Sequence, residues 1–266
     1  MSILNQTMMS INRLPFCRRT LRRLTLACVT KKGKSHLITK VDGISLALDL
    51  NQHLDKEYFI GKYDREELSF LMKAFENCEK GTAFVDIGAN QGLYSLMIAK
   101  SVPDCQVIAF EPDPYSVEKF RENIVLNNAE NIVLVPKGLS DKREKKLLML
   151  NTATNRAGSS MVLSQTKYTK KQEEDTIEVE CVPITDALSA AGVTKIGALK
   201  IDVEGYEYPI LYQFLKEAPL CCYPKAVILE AWGHAIPLVG GSPIELMIAH
   251  GYKLVNHVEY NYFFLR

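Results

Sequence analysis

No aspartate or glutamate occurs before Asp42, although the first 41 residues carry nine lysines and arginines. The remaining 23 of the 32 basic residues face all 31 acidic ones, so a basic leader-like segment precedes a mildly acidic body. The overall charge of +1 points to no particular partner. Cysteine pairing is missing as well. The seven cysteines, at 17, 28, 78, 105, 181, 221 and 222, contain no C-x-x-C unit, which reads as free thiols in a reducing compartment. The finger-like ligand spacing of a structural zinc site is absent too. No apolar run approaches the ~18 residues of a membrane span. The stretch "LTLACV" is too short for the apolar core of a secretory signal. The body is therefore expected to be soluble and cytoplasmic, with organelle targeting by the N-terminal segment left open. It lacks interleaved aromatic and basic residues, so nucleic acid is not an expected partner.

What is present suits one well-packed domain, with 266 residues of which 47% are hydrophobic. Residues 1–40 form a basic arm, read as poorly ordered. In "FCRRTLRRLTLAC", Arg18, Arg19, Arg22 and Arg23 fall on one helical face with Leu21 and Leu24 beside it. Three readings stay open: a solvated arm, a helix making weak contact with a membrane surface, or an Arg-rich transit peptide. Residues 41–80 read as a strand–helix extension. "ISLALDL" alternates in part as a strand does, and Asp64 with Glu67 makes a capping box before Leu68, Leu71, Met72 and Phe75 at helical spacing.

From residue 81 onward strand and helix alternate. Strands are expected at Ala83–Ile87, Gln106–Phe110, Asn131–Pro136, Ala198–Asp202 and Ala226–Glu230. A polar, charge-rich insertion over about 141–185 reads as a hairpin with exposed loops, and the tail "YKLVNHVEYNYFFLR" as two strands. This order predicts an α/β, doubly wound, mostly parallel sheet with an antiparallel hairpin at one edge. Ligands of such sheets bind at the carboxyl ends of the strands.

Those strand ends carry the chemistry. "FVDIGANQGLYS" places Asp86, Gly88, Ala89, Asn90 and Gly92 in a strand-to-helix turn. The dinucleotide fingerprint G-x-G-x-x-G would need glycines where Asn90 and Leu93 stand. A carboxylate at Asp86, on the same side of the strand as Gly88, would repel a pyrophosphate and suit a cationic ligand such as S-adenosylmethionine. Glu111, in "AFEP" with Pro112, lies 23 residues after Gly88, where an acid accepts from ribose hydroxyls.

"FVDIGANQGLYS", "AFEPDPYSVEKFRENIVLNN", "GLSD", "GSSM" and "LKIDVEGYE", in that order from about Gly43 to the C-terminus, resemble the FkbM family of S-adenosylmethionine-dependent methyltransferases. The resemblance implies a Rossmann-like class I methyltransferase fold with a seven-stranded sheet. It also implies methylation of a hydroxyl on a small molecule or glycan. It places Asp86, Gly88, Asn90 and Gly92 around the methionine end of the cofactor and Glu111 on the ribose. Ser140 and Asp141 would lie near the adenine, and Asp202 and Glu204 would face the methyl group.

Asp202 and Glu204 end the fourth strand of the parallel set, where a carboxylate pair could orient a hydroxyl and one acid act as base. Glu204 has an alternative use as the cap of the following helix. His234, after the fifth strand in "LEAWGHA", is a further candidate base or an ordinary loop residue. The Asn/Asp-Pro-Pro-Tyr/Phe motif of methyltransferases acting on planar amines is missing, and no metal site is expected. Two rival functions remain: an NAD-linked oxidoreductase, and a non-catalytic cofactor-binding interaction module.

Overall fold

Nearly continuous apolar runs such as "AFVDI" and "IGALKI" can be buried on both faces, as strands of a parallel sheet are. In the computed structural model, which describes residues 18–31, 35–76, 78–151, 156–162, 175–233 and 235–266, they lie at the centre of the molecule. Helix α1 (Arg18–Lys31) leads into the hairpin β1 (His36–Val41) and β2 (Ile44–Asp49), followed by α2 (His53–Ile60) and α3 (Arg65–Lys73). The alternating part runs β3 (Ala83–Ile87), α4 (Leu93–Ser101), β4 (Gln106–Phe110), α5 (Pro114–Asn127) and β5 (Ile132–Val135). Strands β6 (Gly138–Leu139), β7 (Glu144–Met149) and β8 (Thr176–Val182) form a separate three-stranded sheet in the order β6-β8-β7. Then come α6 (Ile184–Ala190), β9 (Ile196–Ile201), α7 (Glu207–Glu217), β10 (Ala226–Glu230), α8 (Ile236–Val239), α9 (Pro243–Ala249), β11 (Lys253–Val258) and β12 (Asn261–Leu265).

The main sheet has seven strands in the order β11-β12-β10-β9-β3-β4-β5. Pairing from β5 across to β10 is parallel, and β12 is antiparallel to both β10 and β11. The order reverses at β3, which opens a crevice at its carboxyl end. Alternate residues of each strand pack to opposite sides. Phe84, Val107 and Ala198 join α4 and the β1–β2 hairpin in one core, whereas Val85, Ile108 and Leu199 join α6 and α7 in the other.

The N-terminal region departs from its expectations. β1 starts at His36, so the hairpin straddles the boundary drawn at residue 40, and its two-residue turn is Asp42–Gly43, both at positive φ. Arg22 does not share a solvated face with Arg23. Its side chain is fully buried and donates to the carbonyls of Phe59 (2.7 Å) and Lys40 (2.9 Å), seating α1 on α2 and the hairpin. The predicted capping box is half-made. Asp64 accepts from the amides of Glu66 (2.8 Å) and Glu67 (3.0 Å), but the Glu67 carboxylate turns inward and accepts from Tyr94 Oη (2.8 Å). Asp64→Ala is expected to cost about 1 kcal/mol, read as a lower denaturation midpoint with an unchanged m-value. An unchanged midpoint would show that the cap contributes nothing. Among the described residues no helix is long and apolar enough to cross a membrane.

Candidate active site

A cleft opens beside the carboxyl ends of β3, β4 and β9. Its first wall is the turn after β3. Gly88 has φ +79°, and a Cβ there would lie 1.9 Å from the Asp202 carbonyl oxygen, so the turn can approach the β9 loop only without a side chain. Asn90 also adopts the left-handed conformation (φ +51°), which asparagine tolerates. Its amide donates to Glu111 Oε2 (2.8 Å), while Glu111 Oε1 accepts from the amide of Asp113 (2.8 Å). Burial pushes the Glu111 carboxyl up to about 7, against the pull of those two amides. Gly88, Asn90, Glu111 and Pro112 line the cleft together with the apolar Phe110 and Leu139.

Several expected ligands lie elsewhere. Asp86 is buried behind the strand rather than at the rim. Its Oδ2 accepts from Ser95 Oγ (2.6 Å), it pairs in register with Lys200, and it does not line the cleft. The strand ends at Ile87 and the backbone turns at Gly88, so the strict alternation that put Asp86 beside Gly88 no longer applies. Gly92 serves packing, because a Cβ would meet the Phe120 ring at 2.0 Å. Ala89 is buried and also lies off the cleft. Ser140 is completely buried. Its hydroxyl contacts Glu144 Oε1 (2.6 Å), Asp141 Oδ1 (3.1 Å) and Tyr206 Oη (3.2 Å), tying the three-stranded sheet to the β9 loop. Neither Ser140 nor Asp141 lines the cleft. His234 lies outside the described residues.

The opposite wall is acidic. Asp202, Glu204 and Glu230 each bring a carboxylate oxygen within 4.8 Å of the others, and Lys200 Nζ lies 2.8 Å from Asp202 Oδ2. Three carboxylates with one ammonium in a partly dry site cannot all stay ionised. Burial alone would raise the Asp202 carboxyl, but the Lys200 ammonium and a hydrogen bond from Glu230 outweigh it and hold it below the usual range. Burial and then the Asp202 charge push Glu230 far above that range, so Glu230 carries the shared proton. Glu204 is raised to about 8 by burial, then by Asp202 and Glu207. Its backbone is left-handed (φ +53°), a strained setting for a glutamate. Asp202, Glu204 and Glu230 are the described residues whose donor atoms could converge on a divalent cation, but the Lys200 ammonium already supplies positive charge there.

Glu204 does not cap the following helix, which has no side-chain cap; Glu207, its first residue, instead braces the preceding loop. Its Oε1 accepts from the amides of Val203 (3.1 Å) and Gly205 (3.0 Å), and burial raises its carboxyl to about 7 against those bonds. Among the described residues the Glu204 carboxylate has no hydrogen-bond partner. Arg156 and Tyr206 are among the cleft residues that no sequence motif singled out. Arg156 Nη1 donates to both oxygens of Asp113 (3.0 and 3.2 Å), and the guanidinium sits 4.6 Å from the Tyr115 ring centre. A lone basic residue beside "AGSSM" was its one signal.

Glu111, Glu204, Glu207 and Glu230 all have folded-state values above those of free glutamate. The stability each contributes is complete below the unfolded value of about 4.3 and is lost as the pH climbs through the raised folded value. The melting temperature is therefore expected to fall between about pH 6 and about pH 9, less steeply in Glu230→Gln. A melting temperature rising over that interval would contradict this assignment of protons.

The strand order β5-β4-β3-β9-β10-β12-β11, with β12 antiparallel beside β10, is that of the class I methyltransferase fold, and the glycine turn after β3 and the acid after β4 agree with it. The Methyltransferase FkbM domain matches residues 86–240, and the chain belongs to that family. It is 27% identical over 141 residues to Methyltransferase 1 of Beauveria bassiana, covering 48% of this chain and 56% of that protein. It is 26% identical over 200 residues to the 31-O-demethyl-FK506 methyltransferase FkbM of Streptomyces tacrolimicus (66% and 74% covered). It is 31% identical over 123 residues to the tRNA (guanine(37)-N(1))-methyltransferase Trm5b of Pyrococcus abyssi (46% and 33% covered). The chain thus spans less than two thirds of the first and third of these relatives.

Proposed function

We propose that this chain transfers a methyl group from S-adenosylmethionine to a hydroxyl of a small molecule or glycan. The observation that carries the reading is a carboxylate without a partner, Glu204, in the same cleft as the Gly88–Asn90 turn and Glu111. The donor set suits the cofactor. Glu111 can accept from ribose hydroxyls, Gly88 and Asn90 bring backbone to the cleft, and Phe110, Leu139 and Ile210 offer apolar surface for a base. Bound there, S-adenosylmethionine supplies an electrophilic methyl group on a sulfonium. Glu204 takes the proton of the acceptor hydroxyl, for which a value of about 8 is well placed. Asp202, ionised and held by Lys200, gives the cleft a negative charge that would suit a cationic cofactor, and Glu230 keeps its proton and hydrogen-bonds to Asp202.

An NAD-linked oxidoreductase is the weaker reading, on one of the two grounds the sequence offered and not the other. The buried Asp86 cannot repel a pyrophosphate. What disfavours NAD is Leu93, buried where the fingerprint needs a glycine for close helix approach, and membership of a methyltransferase family. Methylation of a ring nitrogen, the reaction in the name of the Pyrococcus relative, is disfavoured by Asp-Val-Glu-Gly at the β9 end. The test is incubation of the full chain with a cell-extract metabolite fraction and methyl-labelled S-adenosylmethionine, followed by mass identification of the labelled products. O-methyl products support the reading. N-methyl products, or none, overturn it.

A further inference from the structure

The segment "GSSM", Gly158–Met161, carries part of the family resemblance but no step of the chemistry above. It belongs to the inserted unit, and Ser159 and Met161 line the cleft. Ser160 is buried and anchored to the end of β7 by a reciprocal backbone pair with Met149 (3.1 and 3.0 Å). Its hydroxyl has one proton to give, and gives it to the backbone carbonyl of Glu204 (2.8 Å), while accepting from the amide of Val162 (3.0 Å). Glu207 already holds the amides on either side of Glu204. Carbonyl and flanking amides are thereby fixed by two side chains, one from each side of the loop.

We infer that Ser160 is a positioning residue for Glu204: its hydroxyl fixes the Glu204 peptide in the left-handed conformation that directs the carboxylate into the cleft. The inference rests on the reading of Glu204 as the base. A left-handed glutamate is strained by about 1–3 kcal/mol, so the conformation persists only while its surroundings over-determine it. Without the Ser160 hydrogen bond the residue can relax, and its carboxylate leaves the low-dielectric site. Ser160→Ala changes no charge, so any movement in the titration of Glu204 reports a change of place.

The test uses the full chain in three measurements. These are label transfer from methyl-labelled S-adenosylmethionine into the extract fraction, affinity for S-adenosylhomocysteine by calorimetry, and the titration of Glu204 by carbon-13 NMR with Glu204→Gln as the assignment control. Ser160→Ala is expected to cut label transfer about 10- to 100-fold with cofactor-product affinity unchanged. The Glu204 titration should move from about 8 toward the ordinary carboxylate range. Ser160→Thr, which keeps the hydroxyl, should restore both. If the alanine variant is unstable, Ser160→Cys, a weaker donor of similar size, should give an intermediate loss. The inference is overturned if Ser160→Ala transfers label normally while Glu204→Gln does not. It is overturned equally if affinity and melting temperature fall together while Glu204 titrates as in the unsubstituted chain. Absence of transfer by the unsubstituted chain would instead sink the methyltransferase reading and this inference with it.

Discussion

Glu204→Gln is expected to lower methyl transfer about 10²- to 10⁴-fold, the range in which a positioned general base contributes. Its affinity for S-adenosylhomocysteine should stay near that of the unsubstituted chain, since the amide keeps the shape and no cofactor contact is assigned to this side chain. The prediction follows from how protons are shared among three neighbouring acids. Asp202 is ionised but tied to Lys200 at 2.8 Å, which makes it a poor acceptor of a further proton. Glu230 already holds one. Glu204, raised to about 8 and without a partner, is the acid able to take the proton of the substrate hydroxyl. Transfer should accordingly rise with pH through about 8 as Glu204 ionises, and the rise should vanish in Glu204→Gln. A rate that falls with pH across that interval would move the base elsewhere. Asp202→Asn is a poorer probe, because it strands a buried ammonium and should unfold the site as well as slow it.

Gly88→Ala should be the most damaging single methyl group in the molecule. A Cβ would sit 1.9 Å from a backbone carbonyl that cannot swing aside as a long side chain can, at a φ of +79° that alanine resists. Strain and overpacking together should cost about 2–5 kcal/mol, with loss of detectable S-adenosylhomocysteine binding. Gly251→Ala separates the two causes. Gly251 shares the positive φ (+86°) but has no atom within 4 Å of the added methyl. It should cost about 1 kcal/mol and leave binding intact. Equal losses at the two positions would mean that the close approach of the β3 turn to the β9 loop is not what Gly88 serves.

Much of the sheet could be read from residues, because short apolar runs separated by amphipathic stretches have few arrangements other than a doubly wound sheet. The carboxyl ends of β3, β4 and β9 meet at one cleft, with Gly88, Asn90, Glu111, Pro112, Asp202 and Glu204 around it, whereas Ser140 and Asp141 lie off it. What escaped depends on direction and depth, which pattern does not encode. Asp86 was aimed at the ligand by strict alternation, and a single left-handed glycine ended that alternation. Gly92 looked like part of a cradle but makes room for Phe120, a residue 28 positions on whose approach no local motif announces. Arg22 sat in a row of arginines with nothing to mark it as the buried one. The β1–β2 hairpin was legible in principle, since Asp42–Gly43 between alternating residues is a strong turn signal, but the basic segment before it obscured the first strand. The short α2 has too few periodic apolar residues to stand out.

On the proposed function, the cleft between the Gly88 turn, Glu111 and the β9 loop binds the methyl donor. Titration calorimetry of the full chain with S-adenosylhomocysteine tests it most directly, with NADH as the control titrant. Saturable binding at a single site is expected, with no heat from NADH and at least about a tenfold loss of affinity in Glu111→Ala, as when hydrogen bonds to a charged group are removed. Absence of binding to the folded, unsubstituted chain, or binding that Glu111→Ala leaves unchanged, would contradict it.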